Sequence, residues 1–162
     1  MGLNIKYESE GVDHLWNLIE SRLEDLGLDY SKVVVYNDSL ILVNWTDFFE
    51  KQAINGSRNF QLLLNFIDGG AILRKTESIP RFLIGMIGAI ITILFRLKTL
   101  TEKFNAFRER YIAKQINHTL KKEEVGLLFL GAAHHVFLNY LDQDILVKKL
   151  ITNTEFKKFY DM

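Results

Sequence analysis

The chain has 162 residues, 48% apolar and 25% charged, with one proline and ten glycines, a balance that excludes collagenous, linker-like and disordered chains. It has no cysteine, which excludes disulfides, thiolate nucleophiles and cysteine-ligated zinc or iron–sulfur clusters. Twenty basic residues offset twenty acidic ones, so no net field draws the chain to nucleic acid or an anionic membrane. The first residues, Met1 to Lys6, lack the basic and apolar regions of a secretory signal. Lys6 stands where a myristoylation motif wants serine or threonine, so a cytoplasmic protein is expected.

From Val12 the apolar residues Val12, Leu15, Trp16, Ile19, Leu23 and Leu26 recur at three- and four-residue steps, which predicts an amphipathic helix stopped by Gly27. Val33-Val34-Val35-Tyr36 is an unbroken β-branched run suited to a strand buried on both faces, and Asn37-Asp38-Ser39 ends it with turn chemistry. Leu40 to Val43 suits a short second strand. Thr46 is placed to cap a helix reaching Ile54. Gly56-Ser57 opens another helix carrying Leu62, Leu63, Phe66 and Ile67, which Gly69-Gly70 stops. Ala71 to Leu73 is a short strand candidate.

Pro80 suits the first turn of a helix that continues through Phe82–Phe95, a stretch of fourteen residues without a charge. A membrane-spanning helix needs about 20 such residues, and Arg81 and Arg96 close both ends, so no integral span is expected; the 79–100 helix reads as buried or as an interface, with a peripheral membrane anchor as the lesser alternative. A further helix covers Thr101 to Leu120, with Lys121 and Lys122 favourably placed at the negative end of its dipole. Val125 to Leu130 is an apolar strand broken by Gly131. Residues 134–141 suit a helical turn, Ile145–Val147 an edge strand, and the tail from Thr152 a helix. No repeat, low-complexity tract or linker divides the chain, and strands alternating with helices predict a single α/β domain over residues 1–162, with a small, mostly parallel sheet flanked by helices.

Ligands of open parallel sheets bind beyond the carboxyl ends of the strands, where loops diverge. Three places follow: Asp38 after the first strand, Glu77 after the second, and His134-His135 after Leu130. Two carboxylates and an imidazole at one edge can hold a divalent metal, or act as general base and orienting acid. Each residue also has a plain structural use. Asp38 belongs to an Asx-rich turn, Glu77 suits the start of the Pro80 helix, and a histidine can sit solvated. Gly131-Ala132-Ala133 gives His134 the stronger functional case, since small residues let another group approach closely. Helical phase from Phe104 places Arg108 within a stripe flanked by Phe107, Tyr111 and Ile112, beside Gln115 and Thr119; a guanidinium there lays its stem on apolar surface or pairs with an anion. His14 and His118 fall on polar helix faces. No phosphate loop, Gly-x-Ser-x-Gly elbow or His-Glu-x-x-His helix is present. Acids crowd residues 1–30 and bases crowd 96–122, a local asymmetry that fits a solvated face or a partner-binding one.

The stretch Arg108-Glu109-Arg110-Tyr111-Ile112-Ala113, followed by Ile116 and then by Gly126-Leu127-Leu128-Phe129-Leu130-Gly131-Ala132-Ala133-His134, resembles the late portion of the TraB/ChaN/erythromycin-esterase-like superfamily. Those proteins show an arginine followed by an acid or asparagine, then a helix bearing an alanine, then a strand ending in Gly-x-x-His. The resemblance implies that Arg108, Glu109, Gly131 and His134 occupy the family positions, with His134 near the active site or a metal and Arg108 lining the pocket. It implies no single reaction, since the superfamily holds metal-dependent peptidase-like proteins, ester hydrolases without metal and haem-binding members. Its early histidine-containing motif has no counterpart here, where Val33–Asp38 offers only Asp38.

Two functions are therefore expected to compete. One is a hydrolase acting on a small-molecule or peptide ligand, with His134, Glu77 and Arg108 as catalytic residues and His134, Glu77 and Asp38 as ligands should a divalent metal be used. A metal would lower the pKa of a bound water. The other is a non-catalytic regulatory or scaffold protein that forms a homodimer, or docks on a partner, through the 79–100 helix.

Overall fold

The computed structural model describes residues 10–37, 46–76, 98–130, 136–152 and 154–155. Its organising element is a three-stranded, wholly parallel sheet. Val33–Asn37 (β1) lies at the centre, Ile72–Arg74 (β2) on one side and Val125–Phe129 (β3) on the other, in the order β2-β1-β3. The expected α/β class with a parallel sheet is what the chain forms. All five residues of β1 are buried, because a central parallel strand is covered on both faces and β-branched side chains fill the pleat well.

Among the described residues the α-helices are Glu10–Glu24 (α1), Thr46–Ile54 (α2), Arg58–Asp68 (α3) and Lys98–Thr119 (α4), and two short 3-10 helices span Tyr30–Lys32 and Val136–Tyr140. Alternation along β1 sorts their packing. Val33 and Val35 join one core with Leu23 of α1, Phe49 of α2, Leu62, Leu63 and Phe66 of α3, and Leu127. Val34 and Tyr36 join the other with Ile112 and Ile116 of α4. Helices on opposite faces are what right-handed crossovers require when the chain steps from β1 to β2 in one direction and from β2 to β3 in the other.

The glycine stops follow the turn chemistry expected of them, whereas Thr46 is the first residue of α2 and Ser57, the N-cap of α3, makes no side-chain capping bond. Gly27 and Gly70 adopt positive φ (56° and 101°), a region that a side chain penalises. At the end of α3 the Ala71 N–H donates to Phe66 O and the Gly70 N–H to Ile67 O, both at 2.9 Å, the paired bonds of a Schellman motif. The expected edge strand at Ile145–Val147 does not form. Ile145 N–H closes a turn onto Asp142 O at 3.1 Å and its side chain packs toward α4, leaving Leu146 and Val147 exposed. In the expected terminal helix, Thr152 and Glu155 form reciprocal bonds of the capping-box kind. The proposed strand at Leu40–Val43, the break at Gly131 and the Pro80 helix through Phe95 lie outside the described residues. No helix among the described residues is long and apolar enough to cross a membrane.

Candidate functional site

All three strands run the same way, so their carboxyl ends share one edge. The order β2-β1-β3 adds a direction to that edge. The chain leaves β1 toward β2 and returns past it to β3, so its winding reverses between β1 and β3. Open α/β sheets bind their ligands beyond the strand ends at such a reversal. Asn37 and Phe129, opposite each other in the register, end the two strands there.

Three polar groups lie at this end of the described fold. Asn37, the last residue of β1, is 8% exposed, and Thr76, just beyond β2, is fully buried. The Thr76 hydroxyl donates to Asn37 O, which ties the start of the segment after β2 to the end of the central strand. Glu109 is the third. It is 1% exposed and stands one turn before Ile112 and Ala113 on the sheet-facing stripe of α4. Since α4 leads from the carboxyl edge back to the start of β3, its earlier turns lie nearer that edge. The Glu109 carboxylate accepts the Phe137 N–H at 2.7 Å, fastening the helical turn that follows β3 to the side of α4.

Of the residues singled out from the sequence, Arg108 is described, half-buried on α4. Its phase differs from expectation. The buried stripe runs through Glu109, Ile112, Ala113 and Ile116, so Arg108, Gln115 and Thr119 follow its margin, half-buried, and Phe107 is exposed. Weighting the phase by the aromatic residues misplaced the stripe by about a quarter turn, because Phe107 does not face the sheet. Asp38, Glu77 and His134, proposed as catalytic or metal-binding residues, lie outside the described residues. In the chain, Asp38 directly follows Asn37 and Glu77 directly follows Thr76. Among the described residues no three acidic or histidine side chains gather as a metal site. His14 and His118 are exposed, as expected.

Residue-by-residue reading did not pick out Asn37, Thr76 or, apart from the resemblance, Glu109. A signal existed for Glu109, which shares i, i+3, i+4, i+7 spacing with Ile112, Ala113 and Ile116. Comparison of the chain with protein-family models, with curated proteins and with solved structures finds no match.

Proposed function

We propose that the protein is a hydrolase of small, oxygen-rich substrates, with its reacting centre beyond the carboxyl ends of β1 and β3. The observation that carries this reading is the reversal of winding between two parallel strands whose carboxyl ends share an edge. Glu109 supports it, because a carboxylate buried there holds Phe137, three positions after His134 in the chain. In this reading His134 takes a proton from water as the oxygen attacks a carbonyl or phosphoryl centre, and Arg108 offsets the charge that develops on the departing or oxyanionic oxygen. Glu77 and Asp38 orient the imidazole, or with His134 hold a divalent metal that makes the water more acidic. A cytoplasmic location fits this role.

The test uses p-nitrophenyl acetate, p-nitrophenyl phosphate and a fluorogenic dipeptide, assayed with the full chain and with His134→Ala, and with metal content measured on both. Hydrolysis of at least one substrate is expected, falling by about 10²–10⁴-fold in the variant, the share a positioned acid–base group supplies. Loss of bound metal in the variant assigns His134 as a ligand; loss of rate with no metal in either protein assigns it as a base. Absence of turnover on all three, or turnover indifferent to His134, overturns the hydrolase reading in favour of docking through residues 79–100.

A further inference from the structure

Helices α1 and α4 carry opposite charges on their exposed faces. From Lys103 to Lys121 the one acid is Glu109, which is buried, while Lys103, Arg110, Lys114 and Lys121 are all exposed. At about 100° per residue the first three fall within about 40° of one another, and Lys121, just past the end of α4, continues their phase. They form one basic stripe, with Phe107, 51% exposed, beside it. On α1 the signs are reversed. Its one lysine or arginine is Arg22, which is engaged by Glu155 and Leu150 O, whereas Asp13 and Glu24 are exposed and Glu20, half-buried, binds Arg58. Asp13, Glu20 and Glu24 repeat the spacing of Lys103, Arg110 and Lys114, seven residues and then four. The two stripes belong to opposite faces of the sheet, since Leu23 of α1 packs with Val33 and Val35, and Ile112 and Ile116 of α4 pack with Val34 and Tyr36. The chain is neutral as a whole, so charge is separated between two surfaces rather than in excess on one.

We propose that the partner of the basic stripe is a second copy of this chain, with α1 of one molecule laid on α4 of the next. Laid parallel, Asp13 meets Lys103, Glu20 meets Arg110 and Glu24 meets Lys114. Laid antiparallel, Glu24 meets Arg110, Glu20 meets Lys114 and Asp13 meets Lys121, so the match holds in either direction. Glu20 keeps its bond to Arg58 and contributes least. Phe107 adds apolar contact alongside the charges. Because the stripes sit on opposite faces, this contact cannot close on itself as a two-fold dimer does. Each molecule offers an acidic face to one neighbour and a basic face to another, and copies add head to tail into a chain or ring. Exposed ion pairs are individually weak and screened by salt, so the association is weak and depends on ionic strength. A nucleic acid would also fit the basic stripe, but it leaves the acidic stripe of identical spacing without a use.

Sedimentation velocity of the full chain over a range of concentrations, in about 20 mM and about 500 mM sodium chloride, reads the association, since screening shortens from about 20 Å to about 4 Å between them. At low salt the weight-average mass is expected to climb past that of two chains; at high salt it is expected to return to that of one. Two variants test the stripes: Lys103→Glu with Lys114→Glu, and Asp13→Lys with Glu24→Lys. Arg110 is left in place because it also holds Tyr140. Each variant is expected to weaken association by about 30-fold or more, as attraction turns to repulsion at two places in the contact. Mixed one to one, the two variants are expected to associate again, because each then meets surfaces of opposite sign, an outcome that misfolded variants could not give. A single-chain mass at every concentration in low salt overturns the proposal. So does association indifferent to salt and to both reversals, the behaviour of a dimer sealed by the apolar 79–100 helix, and so does a mixture that fails to associate. A fluorescent single-stranded oligonucleotide that binds the unaltered chain but not the Lys103→Glu, Lys114→Glu variant, with no self-association, also overturns it and assigns the stripe to a polyanion.

Discussion

Gly69 shows how one residue's identity is set from a distance. Its backbone is right-handed helical, with φ of −75°, so any amino acid could adopt it. What forbids a side chain is Tyr30. A β-carbon at position 69 would come within 2.1 Å of Tyr30 Cδ2 and 3.2 Å of Asn65 O. The tyrosine ring packs against Phe66, with centroids 4.9 Å apart, so withdrawing gives up that contact. Gly69→Ala is expected to cost about 1–3 kcal/mol, the usual range for forcing extra volume into a packed site. In a Tyr30→Ala background the cost should shrink toward zero, and a double-mutant cycle by chemical denaturation measures the coupling. Equal costs in both backgrounds would show that the ring is not the obstacle. The Gly69-Gly70 pair was legible as a helix stop, but only Gly70 needs its positive φ. The reason for its neighbour lies some forty positions earlier, where no local pattern could point to it.

At the scale of elements, a paired cluster ties the end of β2 to the start of β3. Arg74, at the end of β2, reaches past the sheet to Glu124, just before β3, with two bonds of 2.8 Å, and its guanidinium also donates to Thr119 O at the end of α4. Glu124 takes the Lys121 N–H as well, at 2.8 Å. The Arg74 guanidinium holds the Glu124 carboxyl below the usual carboxylate range, while Glu124 raises the affinity of Arg74 for its proton. Beside them the Thr119 hydroxyl donates to Gln115 O at 2.6 Å, so the Tyr36 phenol, 2.8 Å away, is the donor in that pair. Arg74→Met should destabilise the protein by about 1–3 kcal/mol, because it leaves a largely buried carboxylate with only its Lys121 contacts. The double variant with Glu124→Leu should lose less than that single one, as urea unfolding of both will show; a larger loss would mean the pair contributes far beyond its desolvation cost. The strand and helix boundaries around this cluster were close to those expected from the sequence. The facing of α4 was not, because Glu109 occupies a core position that hydrophobic periodicity assigns to an apolar residue, and Phe107, apolar, lies outside it.

The molecule as a whole is joined at its far ends. Arg22 of α1 pairs with Glu155 at 2.6 Å and also donates to Leu150 O, docking the carboxyl-terminal segment onto the first helix. Hydrogen bonds from Arg22 and from Thr152 lower the Glu155 carboxyl from its ordinary 4.5 to about 2. A carboxyl whose folded pKa is depressed stabilises the fold above its unfolded pKa and ceases to do so as pH falls through the folded one. The stability difference between the native chain and Glu155→Gln should therefore be constant near neutrality, narrow as pH drops below about 4.5 and vanish near 2, measured by urea unfolding at stepped pH. A difference indifferent to pH would show that the clamp does not hold in solution. This joint was invisible in the sequence, where Arg22 was one base in an acidic run and Glu155 lay in a tail expected only to be helical. The parallel sheet was legible, because short β-branched or apolar runs separated by helical spans leave few other ways to bury themselves.

The two cores divide β1 between them, odd positions on one side and even positions on the other. Displacing this strand by a single position would turn Val33 and Val35 toward the partners of Val34 and Tyr36, and the reverse. Any such mispairing is punished twice over, once on each flank, and neither flank can be repaired alone. The central strand thus acts as a key cut on both sides, and only one alignment turns the lock.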